Sequence, residues 1–102
     1  MATYSLIITP RAAGDLVRIQ DFISKNSVQN AHAMTNRILD SLEPLREFPH
    51  RSVVDLEHPR LVYPVRTIVV QPYIIYFPVL EDQKVVRVLH VRHGTRRRPK
   101  RI

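Results

Sequence analysis

With 102 residues, 44% of them hydrophobic and 25% charged, the chain has the length and balance of one globular domain rather than two. It contains no cysteine, which removes disulfides, thiol nucleophiles and cysteine-based zinc sites together and fits a reducing compartment. The net charge of +7 is gathered at one end: residues 1–83 carry eight lysines and arginines against nine acids, whereas residues 84–102 carry eight and no acid.

The chain starts Met1-Ala-Thr-Tyr-Ser-Leu-Ile-Ile-Thr-Pro10, without the basic stretch or the long apolar run of a signal peptide. No apolar stretch approaches the ~20 residues of a membrane span, so a cytoplasmic protein with no membrane contact is expected. Tyr4 to Thr9 reads as a short strand. Thr9-Pro10 then supplies an N-cap and a proline at the first helical position. The helix should run to about Lys25, with Ala12, Leu16, Ile19 and Ile23 on its apolar face and Arg11, Asp15, Arg18 and Gln20 turned largely to water. Asn26-Ser27 breaks it, and Ser27 caps a second helix with Ala31, Met34, Ile38, Leu42 and Leu45 at helical spacing. Pro44 loses a backbone donor and crowds the preceding turn, so this helix kinks or stops near Leu42.

His50 to Arg60 is polar, contains Pro59 and reads as a loop. Three strand-like runs follow, Val65–Val70, Tyr73–Leu80 and Lys84–Val91, divided by Gln71-Pro72 and by the turn Glu81-Asp82-Gln83. Pro78 lacks a ladder donor and implies a bulge or an outward-facing edge position. The order is β, α, α, β, β, β. It predicts an α+β domain over residues 1–94: an N-terminal strand, a two-helix hairpin and a three-stranded antiparallel meander, with both helices on one sheet face. Residues 95–102 form a basic tail holding Arg96, Arg97, Arg98, Lys100 and Arg101. Such a tail either aids solubility as a solvated terminus or meets nucleic acid or an acidic protein.

Candidate functional side chains lie mainly on the meander. Arg66, Arg87 and Arg92 would project from the sheet face that the helices leave uncovered, and guanidinium groups clamp phosphate or carboxylate bidentately. For each arginine, an exposed strand position or a structural ion pair is an equally open reading. The odd spacing of Arg87 and Arg92 puts them on opposite faces unless a bulge intervenes or Arg92 lies past the strand end. The five histidines, at 32, 50, 58, 90 and 93, show no metal spacing, so neither a metal nor another cofactor is expected. His93, beside Gly94, is either an exposed loop residue or a group exchanging protons near neutral pH. Tyr73, Tyr76 and Phe77 alternate, so at least one ring faces the core. Gly14 receives no function.

As an ordered set these segments resemble the RelE/ParE toxin superfamily of type II toxin–antitoxin systems. The matching stretches are Leu6-Ile-Ile-Thr-Pro-Arg-Ala-Ala-Gly-Asp-Leu16 with Ile19 and Ile23, then Ala31 through Phe48-Pro49, Val65-Arg66, Tyr73-Ile-Ile-Tyr-Phe77 and Val86-Arg-Val-Leu-His-Val-Arg92. The resemblance implies a toxin neutralised by a cognate antitoxin that covers Leu16, Ile19, Ile38 and Arg87 in a toxin–antitoxin hetero-oligomer. In the ribonuclease branch the residue after the tyrosine corresponding to Tyr73 is typically a cation; here it is Ile74, which forfeits charge stabilisation in the transition state. The lysines such ribonucleases carry before the meander are also missing. Val88-Leu-His-Val-Arg92 is similar to the last strand of ParE-like toxins, which inhibit DNA gyrase. That branch is favoured, and it implies a non-enzymatic module with no catalytic residues, contacting its target through Arg66, Arg87, Arg92, Arg96, Arg97 and Arg98. The alternative is an endoribonuclease acting on mRNA in the ribosome, with Arg66 and Arg92 holding phosphate and Tyr76 or His93 moving protons. A third reading is an inactive fold that only binds its antitoxin.

Overall fold

Thr9 ends one element and starts the next. A computed structural model describes residues 3–55 and 63–95; in it strand β1, Ser5–Ile8, runs into Thr9, whose hydroxyl accepts from the Ala12 N–H (3.2 Å) and donates to the Val88 carbonyl (2.8 Å). Pro10 supplies a preset φ at the first position of helix α1, Pro10–Ser24. Ser27 caps helix α2, Val28–Leu42, by accepting from the Asn30 N–H. Pro44 ends α2 at Leu42, and the chain tightens into a 3-10 turn over Glu43–Arg46.

The polar stretch after Phe48 is not wholly loop. Pro49–Arg51 makes a second 3-10 turn, and Val53–Val54 forms a short strand, β2, antiparallel to β3, Val65–Val70. A two-residue strand has no periodicity to read, so pairing rather than local pattern creates it. The rest of that expected loop, including Pro59 and Arg60, lies outside the described residues. β3 pairs with β4, Tyr73–Leu80, across the turn at Gln71-Pro72, whose peptide bond is cis.

The third expected run divides. β5, Val85–Val88, and β6, His90–His93, meet at Leu89, whose N–H donates to the Tyr76 carbonyl (2.9 Å). The ladder on β4 steps from Tyr76↔His90 to Val79↔Val86, so the β5–β6 side spends one more residue than β4 does. That offset is a β-bulge at Val88-Leu89. It falls where Pro78 can donate nothing to the ladder. Pro78 therefore sits at a bulge and not at an edge, because β4 has neighbours on both sides.

The strand order is β1-β5-β4-β3-β2, with β6 continuing the line of β5 along β4 and β1 lying parallel to β5. The fold is therefore α+β with a mixed sheet. Alternate residues Tyr73, Ile75, Phe77 and Val79 of β4 join Val86 and Val88 of β5 in one core with Ala12 of α1 and with Ile38 and Leu42 of α2. Alternation places these strand residues on one face, and both helices cover it. Each large side chain buried there contributes roughly 1.5–3 kcal/mol. Among the described residues no helix is long and apolar enough to cross a membrane.

Candidate functional site

β1 stops pairing with β5 at Ile8↔Val88, so β6 has a strand neighbour only on its β4 side. Helix α1 closes the other side with polar side chains. Asp15 is buried there, with one carboxylate oxygen accepting from the Val91 N–H (3.0 Å) and from His90 Nδ1 (2.7 Å). Its other oxygen accepts from Arg18 Nη2 at 2.6 Å. Because Asp15 can only accept when ionised, His90 carries its proton on Nδ1 and meets any other partner through Nε2. A backbone N–H at a sheet edge must find a partner, and a carboxylate on the neighbouring helix replaces the missing strand.

A cleft of about 230 Å³ opens between α1 and β6, lined by Asp15, Arg18, Ile19 and Phe22 from the helix and by Tyr73, His90, Val91, Arg92 and His93 from the sheet. Arg18 and Phe22 lie one helical turn apart at its mouth, with 70% of the Arg18 side chain and 60% of Phe22 exposed. His93 packs edge-on against Tyr73, with ring centroids 5.4 Å apart, and its Nδ1 contacts the Thr95 hydroxyl at 2.7 Å.

The three strand arginines do not share an open face. The bulge at Leu89 brings Arg87 and Arg92 to the same side, opposite the helices, because Arg92 pairs with Ile74 and Arg87 lies beside Ile7. Arg66 pairs with the core residue Phe77 and so points to the helix side, where Nη1 donates to the Ser52 carbonyl at 3.0 Å. It anchors the segment before β2 instead of joining the other two. Arg92 is buried rather than presented: Nε donates to the Tyr76 hydroxyl (2.7 Å), Nη1 donates to the His93 carbonyl (3.1 Å), and the guanidinium lies over the Tyr76 ring. Tyr76 is buried as well, stacked on His90 at 5.9 Å. Of the three, only Arg87 is exposed.

Ile38 is fully buried in the core, so it serves packing and offers no surface to a partner. Leu16 and Ile19 are half-buried and pack against the same core. Arg96, Arg97 and Arg98 lie outside the described residues. Asp15 was expected in water and is instead the hub of the β6 edge, while Arg18, Phe22 and His90 join it at the cleft. The helical pattern missed Asp15 because a buried acid on a sheet edge looks, in one dimension, like any polar residue at the margin of an apolar stripe.

A second polar cluster sits at the far end of β4. The Tyr4 hydroxyl donates to Glu81 (2.9 Å), His50 Nε2 contacts the same carboxylate, and Lys84 approaches it at 3.5 Å. The Tyr4 bond, helped by the His50 bond and charge and by Lys84, holds the Glu81 carboxyl below its ordinary pKa against a smaller opposing effect of burial. These contacts tie the first strand, the 3-10 region and the β4–β5 turn together. Among the described residues no group of three or more histidines and carboxylates is placed to hold a metal ion.

Residues 6–98 match the family model for the ParE toxin of type II toxin–antitoxin system, parDE. A solved chromosomal ParDE system from P. aeruginosa superimposes with a TM-score of 0.71 at 24% identity, covering 91% of this chain and 98% of that one. The RelBE2 toxin–antitoxin complex of Mycobacterium tuberculosis gives a TM-score of 0.57 at 18% identity, over 91% of this chain and 93% of that one. At these identities the two structures carry the fold alone. No match was found among curated proteins.

Proposed function

The chain belongs to the ParE toxin family of type II toxin–antitoxin systems, and on that footing we propose that it acts in the cytoplasm by poisoning DNA gyrase until a cognate antitoxin covers it. The observation that carries this reading is the position of Arg66. A ribonuclease would need Arg66 and Arg92 to clamp one phosphate, yet Arg66 points to the helix side and Arg92 to the other. The strand position expected to carry a catalytic cation holds Ile74, which pairs directly with Arg92. Charge stabilisation of a cleaving phosphate needs converging donors, and these do not converge.

A binding module needs no such convergence. Exposed Arg87 and the basic residues Arg96, Arg97 and Arg98 supply the target contact, and Arg92 supports it from beneath by fixing Tyr76. The antitoxin takes the helical hairpin around Leu16 and Ile19, together with Arg87. In a purified supercoiling assay, protein freed of antitoxin should abolish gyrase supercoiling and accumulate cleaved DNA, and added antitoxin should reverse both. Gyrase left untouched by a large molar excess would overturn the reading, and mRNA cleavage on ribosomes would then be the assay to run.

A further inference from the structure

We propose that the cleft between α1 and β6 is a binding site for a carboxylate on an apolar stem, filled in the complex by an aspartate or glutamate beside an apolar residue of the antitoxin. The identity of that occupant rests on the toxin–antitoxin reading; the chemistry of the site rests on its lining. Arg18, Arg92, His90 and His93 face one acid, Asp15, whose two oxygens already accept from Arg18, His90 and the Val91 N–H. Asp15 is thus answered from within, and the exposed Arg18 guanidinium, which gives Asp15 only Nη2, offers its other N–H groups to an incoming acceptor. Its remaining wall is apolar, with Ile19 and Tyr73 inside and Phe22 at the mouth.

Size and charge choose between possible occupants. About 230 Å³ lies below the roughly 300–1,000 Å³ of small-molecule pockets, so the cleft fits one or two side chains rather than a cofactor. A nucleic-acid backbone would need a row of exposed cations, whereas Arg18 is the exposed arginine here and Arg92 is committed to Tyr76 and the His93 carbonyl. A single carboxylate needs only what the mouth offers: the Arg18 guanidinium beside an exposed aromatic ring. The opposite charge of an acidic side chain also suits a cleft whose lining carries two arginines, Arg18 and Arg92, against the one acid Asp15.

The test is an NMR titration of the full-length protein with 3-phenylpropionate, and separately with its neutral analogue 3-phenylpropanamide. The carboxylate should shift the signals of Phe22, Val91 and His93 saturably, and the amide should bind at least about fivefold more weakly, as should the carboxylate to an Arg18→Gln variant. Arg18 is exposed, so unchanged signals elsewhere in that variant show that the fold is kept. Equal binding of acid and amide, or displacement of the probe by a short oligothymidylate, would overturn the site. Antitoxin should displace the probe. If it binds the protein and leaves the probe in place, this assignment fails while the toxin–antitoxin reading stands; if it does not bind at all, that reading fails and the occupant with it.

Discussion

Glu81 shows how one side chain ties distant parts of the chain together, since its contacts come from Tyr4, His50 and Lys84. Its carboxyl is held below the ordinary value, chiefly by the Tyr4 bond, so the folded state binds a proton less readily there than the unfolded chain does. The stabilisation is therefore complete above the ordinary carboxylate pKa and is lost as the pH falls through the lower folded value. Denaturation followed from pH 7 down to about pH 3 should show a Glu81→Gln variant less stable at neutral pH and converging on the parent in acid. A constant gap over that range would show that the proton plays no part. This cluster was not legible in the sequence, because its members are 77 and 31 positions apart and meet only through the sheet. Asp15 was hidden for the same reason, its partners His90 and Val91 lying 75 and 76 residues away. Ile38 was assigned to an apolar face correctly; how deeply that face is buried depends on what packs over it, which helical spacing does not report.

Among the elements, those with local punctuation were the easiest to read. Thr9-Pro10, Ser27 and Pro44 act within a turn of their own position, and both helices begin and end where they direct. The strand line after Lys84 was harder, because the break at Leu89 comes from register with β4 and from Pro78 opposite, not from any glycine or proline inside the run. That single extra residue reverses the side-chain parity and puts Arg87 and Arg92 on one face. Within α1, Gly14 is the weak point. A Cβ there would meet only the end of the Arg18 side chain, at 3.3 Å, and a flexible guanidinium exposed over most of its surface can shift by that amount. Gly14→Ala should then recover about 1 kcal/mol of helix propensity and raise the thermal midpoint by about 4–8 °C. A fall in the midpoint would mean that Arg18 cannot leave its place against Asp15.

Across the whole molecule, charge and packing are separated along the chain. The helices, sheet and cleft lie within residues that are nearly balanced in charge, whereas residues 95–102 hold five cations and no acid against a total of +7. Removing them leaves a net charge of +2 and all of the helical hairpin and sheet. Long-range attraction to a polyanion scales with this excess and is screened over about 10 Å at ordinary salt, so its loss should slow encounter with the proposed gyrase–DNA target more than it changes short-range contacts. In the proposed complex the antitoxin, by contrast, would be held by apolar contacts around Leu16 and Ile19 and by the cleft at Arg18 and Phe22, none of which the deletion touches. A chain ending at Gly94 should therefore bind antitoxin with nearly the affinity of the parent while growth inhibition falls sharply, as measured by calorimetry and by induction in cells lacking antitoxin. Thr95, which contacts His93, goes with the tail, so a parallel truncation after Thr95 separates loss of charge from loss of that contact. If both truncated chains lose antitoxin affinity, the tail belongs to the antitoxin interface and the division between a neutral binding body and a charged effector end is wrong.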